Sequence, residues 1–260
     1  MILRRVIAHV RKQEWTAISI DLVIVVVGVF IGIQVSNWNT ERETNRKAAV
    51  FTERLKNDLR MEAWGYEYLI EYHKDVLVNL ERVLAATVDD RPLSDEQFVI
   101  SAYRASQYIS NDRQRATYDE LVSTGTIGLI ADQKLRQTAI MLFVSPMFDQ
   151  ITKEGRDSEY REIFRRTVDA NVQRELLRKC GDRMVLPLDY GGIVNSLDYP
   201  CTLDLPAGKV SAAAQVLRSH ERLTAALQLR FADVETELGN LQNYSPVLAK
   251  NLREIAGSSK

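Results

Sequence analysis

Apolar residues are arranged along this chain in two ways. Between Trp15 and Trp38 they run almost unbroken, as in DLVIVVVGVFIGIQVSNWN (Asp21–Asn39), whereas beyond residue 50 they recur at every third or fourth position. The first stretch holds about 24 residues, which at the helical rise is roughly 36 Å, enough to cross a hydrocarbon core of about 30 Å. A buried strand would need only about four to eight residues between turn formers, and such flanks are missing here. The β-branched residues are no obstacle, because in lipid only a helix satisfies its own backbone groups. Trp15 and Trp38 suit the two membrane interfaces. A cleavable signal is the alternative, but the apolar segment is long for one and no small-x-small site precedes Asn37. The pattern therefore predicts a transmembrane helix over residues 16–38, behind a basic tail at 1–15.

The polar and small residues in that run share a face. Gly28, Gly32 and Ser36 are spaced by four, and Asp21 is two turns less about 20° before Gly28. Small residues let two backbones approach, and an intramembrane acid calls for a partner or for interfacial water. Asp21, Gly28, Gly32 and Ser36 are thus a candidate association face for a homodimer or a membrane partner. Against it stands the ordinary frequency of glycine in spans.

The second pattern is that of amphipathic helices. Leu55, Leu59, Tyr66, Leu69, Val76, Leu80 and Val83 form a stripe that predicts a helix to about Ala86, interrupted by Glu62 and His73. Arg91-Pro92 breaks it, and Ser94-Asp95-Glu96-Gln97 reads as a capping box for a helix carrying Phe98, Ala102 and Ile109. Asn111-Asp112 offers a cap for a short helix ending before Gly125. Asp132 opens another, carrying Leu135, Ile140, Phe143, Met147 and Ile151 and kinked at Pro146. Tyr160, Ile163, Phe164, Val168, Val172 and Leu176 continue the period to Gly181. Residues 181–208, rich in Pro and Gly, form a loop excursion with room for one short strand. A last stretch carries Val216, Leu217, Leu223, Leu227, Phe231, Val234, Leu238 and Leu241, is kinked or restarted at Ser245-Pro246, and ends in a frayed tail at 257–260. The expected fold is all-α: the transmembrane helix, then an elongated antiparallel helical bundle over 39–256, with three helices of more than about forty residues each.

Composition narrows the function classes. A net charge of −1 argues against a nucleic-acid partner. Its local asymmetry matters more: Arg4, Arg5, Arg11 and Lys12 face only Glu14 in the tail. Arg42, Arg46 and Lys47 after the span nearly balance them, but long C-terminal domains translocate largely regardless of charge. The N-terminus is expected in the cytoplasm and the bundle outside it. There Cys180 and Cys201 have two readings, a disulfide closing the loop or two buried free thiols.

Candidate chemistry is sparse. His9, His73 and His220 lie in separate segments without ligand spacing, and the two cysteines lack a second pair, so no metal is expected. STGTIGLI (Ser123–Ile130) lacks the Gly-Lys-Ser/Thr ending of a phosphate loop; Gly125 instead suits a helix cap, with Ile127, Leu129 and Ile130 turned to the core. Asp89-Asp90 reads as a solvated turn. Tyr66, Tyr68, Tyr72, Tyr103, Tyr108 and Tyr118 cluster along the early helices, and Tyr66 and Tyr72 are candidate pocket residues. No catalytic constellation is visible, so neither an enzyme nor a cofactor is expected.

GVFIGIQVSNWNTER, with Asp21 ahead of it, resembles the opening of a family of uncharacterised bacterial membrane proteins. Its members read acid, apolar run, Gln-x-x-Asn-Trp-Asn-x-Glu-Arg. TYDELVSTGTIGLIADQKLR (Thr117–Arg136) is similar to that family's middle segment. The resemblance implies a single-pass protein of the bacterial inner membrane, and a role for Gln34, Asn37, Trp38 and Asn39 where the span leaves the bilayer. It implies no activity. Two function classes remain: a membrane-anchored, sensor-like module binding a ligand or partner, and a structural or assembly factor of the envelope without a small-molecule ligand.

Overall fold

The computed structural model describes Ile7 and residues 15–88, 92–110, 112–244 and 246–257. The basic tail with Arg4, Arg5, Arg11, Lys12 and Glu14, together with His9, Asp89, Asp90, Arg91, Asn111, Ser245 and the end of the frayed tail at 258–260, lies outside the described residues. The described chain is all-helical, without a strand. It divides into two compact units, Met1–Glu53 with Gly128–Ala131, and Arg54–Ile127 with Asp132–Lys260.

Helix α1, Trp15–Thr87, runs without a break at Trp38 and contributes to both units. Its first part is the one segment among the described residues long and apolar enough to cross a membrane, with mean hydropathy 2.5 over an 18-residue window of which 0% is buried. Val23, Val27, Phe30 and Ile31 all stand exposed there.

In the second unit the apolar stripe turns inward. Leu55, Leu59, Tyr66, Leu69, Val76, Leu80 and Val83 of α1 are all buried, each such side chain stabilising the fold by about 1.5–3 kcal/mol. Helix α2, Asp95–Ala105, starts in the expected capping box: Gln97 N–H donates to Ser94 Oγ (3.2 Å) and Ser94 N–H to Gln97 Oε1 (3.3 Å). Helix α3, Ala116–Ser123, begins three or four residues later than a cap at Asn111-Asp112 would have placed it, with no side-chain cap. It closes on Gly125 at φ 68°, where the Thr126 and Gly125 amides return to the carbonyls of Leu121 and Val122. That closure needs a left-handed residue, which glycine supplies without a Cβ clash. Of the three residues expected to plug the core after it, only Ile130 is buried; Ile127 and Leu129 are half-buried in a 3₁₀ turn.

Two expected long helices are broken. Pro146 separates α4, Gln133–Val144, from α5, Met147–Arg156, because it cannot donate to the ladder. Ser158 and Asp169 then cap α6, Glu159–Thr167, and α7, Ala170–Cys180. After the loop come α8, Ala207–Arg218, and α9, Leu223–Gly239; a π turn at Asn240–Tyr244 leads to α10, Pro246–Gly257. Only α1 exceeds forty residues. Helix α2 packs on α7 and α8, α6 on α8 and α9, and α10 on α4. The buried faces of α2 and α6 to α9 meet around Phe98, Tyr160, Phe164, Leu176, Leu217 and Leu227.

The excursion after α7 contains turns and no strand. Leu188 and Asn195 sit at positive φ (68° and 56°), which a strand does not tolerate. Helices α1 and α2 pin it instead. Asp75 Oδ2 accepts the amides of Leu197 (3.0 Å) and Asp198 (3.1 Å). Arg82 grips Asp198 with two bonds (2.7 and 3.0 Å). Arg104, only 4% exposed, donates to Asp198 Oδ1, Tyr199 O and Cys180 O and lies over the Tyr199 ring. Burial depresses its pKa, against the pull of Asp198.

Burial also raises the Asp75 carboxyl above its ordinary value, the two amides only partly offsetting it. A carboxyl raised on folding lends stability that is complete below its unfolded pKa and is lost as pH rises through the folded one. Asp75→Asn keeps an oxygen for both amides and removes that titration. Its stability relative to the parent should therefore improve as pH rises from about 4 to about 7, read from thermal unfolding across pH. A difference that stays flat or runs the other way contradicts the assignment.

Candidate functional site

The residues singled out from the sequence fall into separate places. Asp21 is half-buried, while Gly28, Gly32 and Ser36 are exposed on the uninterrupted α1 helix, and a Cβ built on either glycine would meet nothing within 4 Å. Gln34, Asn37, Trp38 and Asn39 are all exposed helical residues. The Arg42 guanidinium stacks 4.7 Å over the Trp38 ring, and Thr40 Oγ1 donates to the Ser36 carbonyl. Cys180 and Cys201 are joined by a disulfide, with Cα atoms 5.6 Å apart.

Tyr66 and Tyr72 are packed into the interior, 1% and 0% exposed. Tyr66 donates its hydroxyl to the Leu241 carbonyl in the π turn, and burial pushes its pKa up to about 12. Tyr72 donates to Asp182 Oδ1 (2.9 Å). Both hydroxyls are committed to the fold.

The two polar residues that interrupt the α1 stripe are more informative. Glu62, 3% exposed, accepts Arg113 Nε (2.8 Å) and the Gln114 amide (2.5 Å). His73, 4% exposed, places Nδ1 2.7 Å from the Leu69 carbonyl and Nε2 3.0 Å from Glu237 Oε2. The imidazole thus bridges the α1 backbone and the α9 carboxylate.

Beyond Glu237 lies Arg230, about two helical turns earlier on α9 and 2% exposed. Its Nη2 donates to Gln107 O (3.3 Å) and its Nη1 is 3.9 Å from Glu237 Oε2, too long for a hydrogen bond. Arg230 Nε and Nη1 and Glu237 Oε1 are buried without a hydrogen-bond partner among the described residues. Leaving such a group unmade costs about 1–3 kcal/mol, more when it is charged. Burial accordingly depresses the Arg230 pKa, with Glu237 and Asp233 opposing. Gly155 of α5 is what lets Tyr108 approach, since a Cβ there would come 2.7 Å from Tyr108 Cβ, while it would meet Arg230 Nη2 only at contact distance, 3.4 Å.

Arg230 forms part of the wall of a cavity of about 590 Å³ between α5 and α9, with Gln150, Glu154 and Asp233. Glu237 lines an adjoining hollow of about 610 Å³ that shares those three residues. Four acids, Glu154, Asp157, Glu159 and Asp233, face one lysine, Lys153, around the first cavity. The Asp233 carboxyl is raised by burial and by Glu154, with Arg230 pulling the other way. Arg230 and Glu237, each with buried unpartnered atoms, thus line two adjoining hollows whose charged rim is mostly acidic. No group of three or more His, Cys, Asp or Glu side chains is placed to hold a metal among the described residues. Arg230 falls on the apolar period of α9 three residues after Leu227, a polar intruder of the same kind as His73 on α1 and the one signal in the chain that marks it.

No curated protein and no solved structure matches the chain. The model of a family of unknown function, DUF6090, matches residues 21–159, more than half of the chain and including the apolar run and the whole of α2 to α5. The protein belongs to that family.

Proposed function

We propose that this protein is a single-pass, membrane-anchored binding module rather than an enzyme. Its N-terminus would lie in the cytoplasm and its helical unit outside. The apolar first part of α1 supports the anchor. The Cys180–Cys201 disulfide supports an oxidising compartment for the second unit, since such bonds persist there. The observation that carries a binding role is the pair of buried, underbonded residues Arg230 and Glu237, which line two adjoining hollows between α5 and α9. A ligand supplying an oxygen to Arg230 and an N–H to Glu237 would relieve both.

Thermal unfolding of the full chain in nonionic detergent, against a panel of amino acids, short peptides and polyamines, tests this reading. A ligand at about a hundred times its Kd adds about 2.7 kcal/mol, an increase of roughly 5–10 °C for a domain of this size. The shift should vanish in Arg230→Met. A panel without any shift, or a shift that survives the substitution, rejects the groove as the site.

Association through the span is the second part of the proposal, along Asp21, Gly28, Gly32 and Ser36. In a genetic reporter of span self-association, Gly28→Ile with Gly32→Ile should weaken pairing by about 1 kcal/mol, a factor of roughly five. Unchanged pairing removes the homodimer.

A second reading, an envelope assembly factor without a small ligand, is favoured by the excursion after α7. Met184 is 94% exposed there, and Leu186 and Val194 also face solvent. Exposed apolar side chains on one loop suit a protein partner.

A further inference from the structure

A second cleft, apart from the α5–α9 groove, carries its own chemistry. It is about 400 Å³ in volume and lies where α6 and α7 meet the end of α2. Arg161, Arg165 and Arg174 line it, and no acidic residue does. Its apolar wall is made by Phe164, Tyr103 and the outward-facing Leu177.

The missing counter-charge is local to this cleft. On the same two helices Arg166 pairs with Glu162 (2.6 Å) and Arg178 with Glu175 (2.8 Å). Among the described residues, Arg161 and Arg174 make neutral contacts. Arg161 donates to the Ser106 carbonyl (2.8 Å) and stacks on Tyr108, and Arg174 donates to the Asn171 side chain (3.1 Å). Asp182, the acid that senses Arg161, is held by the Tyr72 hydroxyl. Burial first, and then repulsion from Arg165, depress the Arg161 pKa, as expected of guanidinium groups gathered without an anion.

We infer that this cleft binds an oxyanion, carboxylate or phosphate, carried on an apolar stem. The head group would meet Arg161, Arg165 and Arg174, whose planar forks match such oxygens. The stem would lie along Phe164 and Leu177. An anionic lipid and a soluble amphiphilic acid both have this chemistry. The inference does not depend on the α5–α9 groove, and none of the variants below touches it.

The test is calorimetric titration of the full chain in phosphatidylcholine nanodiscs with hexyl phosphate, beside methyl phosphate and hexanol. Hexyl phosphate should bind, methyl phosphate about tenfold more weakly for want of a stem, and hexanol not measurably. Arg165 and Arg174 are exposed and bond little else, so Arg165→Gln with Arg174→Gln should fold normally and lose about tenfold or more in affinity. Leu177→Asn should narrow the gap between the hexyl and methyl esters. Nanodiscs containing phosphatidylglycerol separate the sources. Apparent affinity that falls there identifies the lipid headgroup as occupant, and unchanged affinity identifies a soluble acid. No heat with hexyl phosphate at millimolar concentration, or undiminished binding by the double variant, overturns the inference.

Discussion

Arg113→Ala should destabilise the second unit by about 3–5 kcal/mol, the largest effect expected of any single substitution here. Its partner Glu62 is among the most buried charges in the chain, with 2% of its side chain exposed against 12% for Arg113. Removing the arginine strands a carboxylate that keeps only the Gln114 amide. It also deletes a bond to the Leu142 carbonyl and a guanidinium lying 4.2 Å over the Phe148 ring. On the scale of a domain this size the melting temperature should fall by roughly 6–20 °C. The cause can be separated from lost packing. Glu62→Leu combined with Arg113→Met removes both charges and refills the space, so it should recover most of the loss. A double variant as unstable as the single one assigns the effect to packing. A single variant that loses less than about 1 kcal/mol contradicts the buried-pair account altogether.

Breaking the Cys180–Cys201 bond is the second large effect. It closes a sequence separation of 21 residues, for which the chain-entropy account gives about 3 kcal/mol. Cys180→Ser with Cys201→Ser should lower the melting temperature by roughly 6–12 °C, and reductant should bring the parent to the same value. The excursion should nonetheless stay in place, because Arg104 and Asp198 hold it to α1 and α2 from inside the loop. Limited proteolysis of the reduced protein distinguishes these outcomes. Rapid cleavage within 183–199 would mean that the bond, not the polar network, positions the loop. A melting temperature indifferent to reductant would mean that the thiols are free.

Helix identity was legible in the chain because burial follows period. The stripe from Leu55 to Val83, the Ser94 box and the Gly125 closure each rest on a local rule, and each appears in the structure. Helix breaks were less legible. Across Asp157-Ser158 and Val168-Asp169 the apolar spacing resumes nearly in phase, so periodicity alone reads through two caps that local side-chain bonds impose. The partners of Tyr66 and Tyr72 were illegible for a related reason: an amphipathic tyrosine on a helix looks the same whether its hydroxyl meets a ligand, a carbonyl or a carboxylate.

The sequence by itself determined the apolar first part of α1, the all-helical class and the buried face of α1 from Leu55 to Val83, although Ile140 and Val216, which fit the same period on α4 and α8, stand exposed. These depend on neighbours at most a few positions apart. Only the tertiary structure decided which polar residues matter. His73 meets Glu237, Glu62 meets Arg113, and Arg161 and Arg174 come to one cleft through the packing of separate helices. A charge's effect depends on what lies within a few ångströms of it after folding, and no local pattern along the chain encodes that distance.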